Sequence, residues 1–480
     1  MGSVRQVMNP KNVGVHNRQD HSLVVAKTSI ELGKRIGVDA ALVEFAALAH
    51  DLGHPPIGHS GEKRLNAIAL EVGLDGFEGN AQTFHILTRL EPAVIRTRKK
   101  FKPRKEQSVQ SRIRYYGSNH TRAALDAAIK YPWFHNEKIG AKFGVYRADR
   151  AAFEFVRQGV PVARQHTKCV EAQVMDWADD IAYSTHDFED AILGGILDPL
   201  LLLDPKEQQR IIEKSRQHGG LTEQQAKLAL ARVLNVKPLA KLLKKCATEP
   251  TIAQACADGT IGTHAEVRAL IGQAREHLVE RFVDGAGDAT RAKYRNKGIG
   301  RHDGNVEVPQ EMRAQTEILK AITWIHVIDS EKENTEKERQ VEQLAEIAYT
   351  LLNNADHEAN PQVLTAIEDF TAQRNSIFGM LWEQARAVVP DDAELRSEHF
   401  GALPVRPGGT LHRKLRHAQN RLVIDAVATL RDAEMEALWE KLDAYGVLED
   451  SLAPRMQAPQ KTKHVLPTTA YSQRGTAVSR

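Results

Sequence analysis

The chain has 480 residues, 65 basic and 62 acidic, for a net charge of +3, so charge alone implies neither nucleic-acid coating nor membrane-surface binding. Its three isolated cysteines, Cys169, Cys246 and Cys256, exclude a disulfide-framed secreted scaffold. No run reaches the roughly 18 apolar residues a bilayer span needs, and the amino terminus lacks the apolar stretch of a signal peptide, so we expect no membrane association and a reducing, cytoplasmic location.

The length exceeds what one ordinary core fills, and two packed regions are expected. Only 6% of residues are aromatic, while Ala, Leu, Glu, Lys, Arg and Gln abound, which predicts an all-α protein with few strands. In chain order, the first helix runs from His21 to Gly33, with Leu23, Ala26, Ile30 and Gly33 on one face and Asp20 as its cap. A second starts after Asp39, an N-cap residue, turns Leu42, Phe45, Leu48, Ala49 and Leu52 inward, and stops at Gly53 ahead of Pro55-Pro56. His50 and Asp51 thus fall in its last turn. The next segment, His54 to Glu62, is stiffened by Gly and Pro. Its His59 is an acid/base candidate, because imidazole titrates near neutral pH; Glu62 either orients that ring or only caps the following helix.

Arg96 to Arg114, RTRKKFKPRKEQSVQSRIR, is almost wholly basic among its charges. We read it as an exposed, solvated loop. Its alternative roles are a seat for an effector nucleotide's triphosphate or a capture site for single-stranded nucleic acid, with Phe101, Tyr115 and Tyr116 for stacking. Glu171 to Leu193 is a further helix whose Val174, Ala178, Ile181, Phe188 and Ile192 share a face. Of its acids, Asp179 lies nearest that stripe, with Asp176 and Asp180 turned toward solvent, and Tyr183 and Asp187 follow Asp179 at successive turns. Residues 205 to 283 read as charged helices broken at Gly219-Gly220, and Asp284 to Glu307 as a long loop. Helices resume over Pro309 to Ile328 and Thr335 to Asn353, then a linker from Asp391 to Gly409, then a helical pair over Leu411 to Tyr445. The expected organisation is a catalytic core over residues 1–330 carrying the inserts 96–114 and 284–307, an associated helical region over 331–450, and a disordered tail over 451–480.

His21, the His50-Asp51 dipeptide and Asp179 sit on three helices. Two neutral imidazoles and two carboxylates form a mixed nitrogen and oxygen set suited to one divalent ion, Mn, Fe, Co, Ni or Mg, with coordination positions left for water and substrate oxygens. The competing reading is a buried ion-pair cluster.

The segments NRQDHSL, LAHDLGHPPIGHSGEKRLN, GFEGNAQTFHILTRLEP, TRAALDAAIKYPW, KFGVYRAD and MDWADDIAYSTHDFEDAI, spread over about residues 6 to 193, resemble the HD-domain superfamily, and within it the deoxyguanosine triphosphate triphosphohydrolase-like proteins. The resemblance implies an HD helical core with an associated carboxy-terminal helical domain, and metal ligands at His21, His50, Asp51 and Asp179. It implies His59 as the catalytic histidine beside Glu62, Arg18 on the triphosphate, Gln6 near the sugar, and Tyr183 and Asp187 reading the deoxyribose; Lys142 is a phosphate-contact candidate. The implied reaction cuts a dNTP between the α-phosphate and the 5′-oxygen, giving deoxynucleoside and tripolyphosphate. A homo-oligomer and a dNTP effector are further implications. The alternatives are a phosphohydrolase of nucleoside monophosphates or other phosphoesters, and a nucleic-acid-binding regulator with a vestigial site. The stretch IDAVATLRDAEMEAL follows the family's Asp-Tyr and Gly-Met-Thr-Asp pattern only loosely, so no contacts are carried over to it.

Overall fold

The computed structural model describes residues 18–91, 95–97, 113–115, 117–135, 142–295, 297–328, 331–355, 360–373, 376–387 and 410–448. Gln6, the middle of the basic segment, the expected linker and the tail lie outside these. The elements are α1 (Arg18–Ile36), α2 (Ala40–Ala49), α3 (Gly58–Glu71), α4 (Gly79–His85), α5 (Arg122–Ala127), α6 (Arg150–Val156), α7 (Val170–Leu193), α8 (Pro205–Gly219), α9 (Glu223–Leu234), α10 (Lys237–Thr248), α11 (Pro250–Ala257), α12 (Ala265–Lys293) and α13 (Gln310–Thr323). They continue with α14 (Glu331–Asn353), α15 (Pro361–Gln373), α16 (Ser376–Ala387), α17 (Thr410–Ala428) and α18 (Asp432–Ala444). Both α4 and α13 run on into π-helical turns, at Ile86–Leu90 and Trp324–Ile328. The fold is all-α apart from a short antiparallel ribbon, β1 (Ile95–Thr97) on β2 (Ile113–Tyr115), in the register Ile95 with Tyr115. The ribbon pairs the two ends of the basic segment, where Ile95, Thr97, Ile113 and Tyr115 are β-branched or aromatic residues that suit a ladder; the expected loop between them lies outside the described residues.

Asp39 caps α2 as expected, accepting from the Ala41 and Leu42 amides at 2.9 and 3.1 Å. Three expectations need correction. Asp20 lies inside the first turn of α1, which starts at Arg18, so it complements the helix dipole instead of capping. The inward faces of α1 and α2 agree with those predicted at Ala26, Gly33 and Ala49 but are rotated elsewhere: Val25, Ser29 and Leu32, then Val43, Ala46 and Ala47, are also buried, while Leu23 and Leu48 are exposed. These helices pack against one another and both pack on α7, and small residues rather than the largest apolar ones fill the contact. Finally, α12 continues through Asp284 to Lys293, so the expected loop begins only at Tyr294. The glycines that suggested a break serve packing instead: a Cβ at Gly285 would collide with Met312 Cε at 1.8 Å, and one at Gly287 would press on Arg35 at 3.1 Å.

The larger core joins α1 and α7 to α8–α13. The second is built by α14–α18, and α3 belongs to it: Leu65, Ile68 and Ala69 are buried against the cluster that includes Leu344, Leu351, Trp382 and Val427. Helix α3 thus packs with helices that lie beyond residue 330 in the sequence. A buried polar node ties α4 to α17. His85 Nδ1 lies 2.8 Å from Asp149 and its Nε2 3.2 Å from Asp425, Gln82 donates to Asp425 at 3.1 Å, and Arg89 reaches Asp149 at 2.5 Å. Among the described residues no helix is long and apolar enough to cross a membrane.

Candidate metal centre

Where α1, α2 and α7 meet, the contact is made by Ala26, Ala46, Ala47, Ala178 and Ala182, all buried. Side-chain size at a helix contact sets the separation of the axes, and these alanines let three helices come close enough for short polar side chains to meet. Gly53 tightens the turn after α2 against α4. A Cβ there would fall 2.2 Å from the Gly79 carbonyl, and its amide donates to Thr83 Oγ1 at 3.0 Å. This fixes the direction in which His50 and Asp51 leave the helix.

His21 Nε2 is 3.1 Å from Asp179 Oδ1. His50 Nε2 is 3.3 Å from Asp51 Oδ1 and 3.5 Å from Asp179 Oδ1. Ligands about 2.1 Å from a common ion at right angles are separated by about 3 Å; the donor atoms of His21, His50 and Asp51 all lie within 4.8 Å of one another, and Asp179 Oδ1 approaches both histidines, spacings that suit a candidate divalent-ion site. The ring of His50 is oriented by a 2.6 Å hydrogen bond from Nδ1 to the Ala47 carbonyl. Its Nε2 is buried with no hydrogen-bond partner, a lone pair aimed between two carboxylates that an ion satisfies. Without the ion, burial opposes charge on His50, but Asp51 and Asp179 outweigh it and raise its pKa to about 9. Asp179 stays ionised against the cost of burial, chiefly through Lys130 and His50. Asp179 is the least exposed of the three acids, at 20% against 30% for Asp176 and 39% for Asp180, in keeping with its place nearest the apolar stripe.

A second cluster lies beside the first. The donor atoms of His54, His59 and Glu62 lie within 4.8 Å of one another. Because α3 starts at Gly58, Glu62 sits one turn inside it and does not cap it. Its carboxylate instead receives Lys142 Nζ at 2.8 Å, and Lys142 also reaches Glu78 at 3.2 Å. Burial lowers the pKa of His54 to about 4 and lowers that of His59 as well, although His59 keeps an exposed edge. Both rings are neutral near pH 7. Arg18 is buried, and its Nη1 and Nη2 donate to the His54 and Pro55 carbonyls at 2.9 and 3.0 Å.

Tyr183 and Asp187 lie one and two turns beyond Asp179 on α7. Asp187 is buried, and burial together with Asp190 and Asp179 pushes its carboxyl well above the usual range. Gln6 lies outside the described residues. Sequence reasoning missed Lys130, whose Nζ is 2.8 Å from Asp179 Oδ2 and 3.1 Å from Asp176. It holds one oxygen of Asp179 so that the other faces the histidines. A lone lysine after a short helix carries no local signal for this. A cavity of about 400 Å³ opens on the neighbouring face of α7, lined by Trp133, Lys168, Asp176, Trp177, Asp180 and Arg313.

Residues 18–184 match the model of the HD domain family. The chain is 36% identical over 389 residues to a deoxyguanosinetriphosphate triphosphohydrolase-like protein of Streptomyces coelicolor, covering 80% of this chain and 82% of the relative. It is 35% identical to a protein so named from Corynebacterium diphtheriae, over 80% and 79% of the two chains. A Bifidobacterium longum protein of the same name is 37% identical over 65% and 60%.

Proposed function

The chain belongs to the deoxyguanosinetriphosphate triphosphohydrolase-like family of HD-domain proteins, and from that we propose that it hydrolyses deoxynucleoside triphosphates to deoxynucleoside and tripolyphosphate. The observation that carries the reading is the meeting of His21, His50, Asp51 and Asp179 around the unpartnered Nε2 of His50, with a neutral His59 and Glu62 on the adjoining helix. His21, His50, Asp51 and Asp179 would hold a divalent ion, which when bound would supply charge neutralisation at the α-phosphate and polarise a water.

The protein's own groups do the rest. Lys142, half-exposed beside Glu62, and Lys130, beside Asp179, present ammonium groups to phosphate oxygens, and the buried guanidinium of Arg18 adds positive potential under the loop that precedes α3. Water adds to the α-phosphorus as the bond to the 5′-oxygen breaks. One proton leaves the water and one is taken up by the 5′-oxygen, and His59 with Glu62 is the acid/base pair placed to move it. Tyr183 and Asp187, on the same face of α7 as Asp179, provide a ring to pack under C2′ and a carboxyl group to meet the 3′-hydroxyl. Grip on the distant phosphates positions the reacting centre, so shortening the polyphosphate lowers rate as well as affinity.

The test is incubation of the Mn²⁺-loaded protein with each of the four dNTPs, singly and mixed, followed by chromatography. Equal amounts of nucleoside and tripolyphosphate are expected. Release of pyrophosphate or orthophosphate, or cleavage confined to nucleoside monophosphates, would assign a different phosphohydrolase reaction.

A further inference from the structure

The loop between His54 and Gly58 joins the metal-binding turn to the helix carrying His59 and Glu62, and it is held from both sides. On one side Arg18 donates to two successive carbonyls, of His54 and Pro55. On the other, the Ile57 amide donates at 2.9 Å to Asp432 Oδ1, contributed by the first residue of α18, 375 positions away. Ile57 has φ of 61°, the left-handed region that a β-branched residue avoids unless its surroundings impose it. Gly58 follows with φ of 55°, and Gly61 lies so close under the loop that a Cβ would meet the Pro56 carbonyl at 2.0 Å. The Asp432 carboxylate also lies within electrostatic reach of the Arg18 guanidinium. Seven residues earlier, Asp425 anchors the end of α17 on His85 and Gln82 of α4, so the corner that presents Asp432 is itself fixed.

We propose that Asp432 is a positioning residue for the reaction: its hydrogen bond holds Ile57 in the left-handed conformation and so fixes the first turn of α3, making the carboxy-terminal helices part of the active site. This rests on the proposed function in that His59 and Glu62 are taken as the acid/base pair. Asp432 touches no reacting group and acts through the loop alone. An asparagine retains the accepting oxygen and an alanine does not, so the two substitutions separate the hydrogen bond from packing.

The experiment compares wild type, D432N and D432A in full-length, Mn²⁺-loaded protein. D432A is expected to lower kcat about tenfold to a hundredfold, as misplacement of a catalytic group by about 1 Å does, with KM and Mn²⁺ affinity within about threefold of wild type. D432N is expected to recover most of that loss. Hydrogen exchange read by mass spectrometry supplies an arm that needs no turnover: a peptide spanning residues 52–64 should exchange about tenfold faster in D432A than in wild type or D432N, with α1 and α7 unchanged. Unchanged exchange in that peptide overturns the proposal even if the enzyme hydrolyses dNTPs. Faster exchange confined to it sustains the loop's dependence on Asp432 even if dNTPs are not the substrate. Faster exchange throughout α14–α18 with unaltered kcat per folded molecule would assign Asp432 to stability alone and overturn the proposal.

Discussion

Two buried histidines in this protein have nearly the same neighbours and opposite uses. His50 lies between Asp51 and Asp179, and His85 between Asp149 and Asp425; burial opposes a charge on each ring, and in each case the two aspartates win and raise the pKa to about 9. The difference lies in the unused valences. Both nitrogens of His85 are engaged, and the remaining oxygens of its aspartates take Arg89 and Gln82. The cluster is closed and acts as a bolt between α4 and α17. At His50 one nitrogen is spent on a carbonyl, while the other faces carboxylate oxygens of Asp51 and Asp179 at 3.3 and 3.5 Å without a well-formed hydrogen bond, and His21 converges on the same oxygen of Asp179. A closed histidine-aspartate cluster binds helices together; an open one is a candidate seat for an ion.

Breaking the open cluster should have the largest effect. His50→Ala or Asp51→Ala is expected to reduce hydrolysis by about 10⁴-fold or more and to abolish Mn²⁺ binding in calorimetry, while urea unfolding of the metal-free protein stays cooperative. Wild-type-like turnover in both variants would make the cluster an ion pair and nothing more. The matching change in the closed cluster, His85→Ala, leaves two buried carboxylates without their shared cation. It should cost about 3–5 kcal/mol in unfolding free energy, read from the urea midpoint, and Mn²⁺ affinity should remain. Loss of metal binding in that variant would erase the distinction. His59→Ala tests the acid/base assignment beside the open cluster: kcat should fall about a hundredfold with Mn²⁺ binding intact.

The smallest expected effect is one of pH, and its sign differs between the clusters. The pKa of His85 rises from about 6.5 in the unfolded chain to about 9 in the folded one. Its contribution is therefore complete below about pH 6.5 and is lost as pH climbs through 9, which removes about 2 kcal/mol of stability between pH 7 and pH 9. The His85→Ala protein should lack that component. At the open cluster an ion must displace a proton from His50, so apparent Mn²⁺ affinity should increase over the same interval. Calorimetry and urea titration at matched pH values would show the two trends running in opposite directions.

What the sequence disclosed and what it withheld follow a physical division. The convergence of His21, His50, Asp51 and Asp179 follows from helical period and a capped helix end, which set the direction of each side chain, and Asp179, placed nearest the apolar stripe, is the least exposed of the three acids. Period reports which face is apolar but not which surface covers it. Hence nothing near α3 in the sequence shows that Leu65 and Ile68 are buried among the last helices. Lys130, Asp425 and Asp432 act across long sequence separations, and nothing adjacent to them signals a partner. The loop expected from Asp284 to Glu307 starts late because glycine's lack of a Cβ has two uses, freedom and close approach, and at Gly285 and Gly287 only the neighbouring side chains decide between them.

The sharing of a core between α3 and the helices from residue 344 onward governs the timing of assembly. The residues proposed as metal ligands are complete once residue 179 has been made, but the helix bearing His59 and Glu62 finds its apolar cover only when the final third of the polypeptide is synthesised. Such far-apart pairings form slowly, after local ones. During synthesis on the ribosome the ion-binding half should therefore mature first and stay catalytically silent, with turnover starting only after the last helices dock.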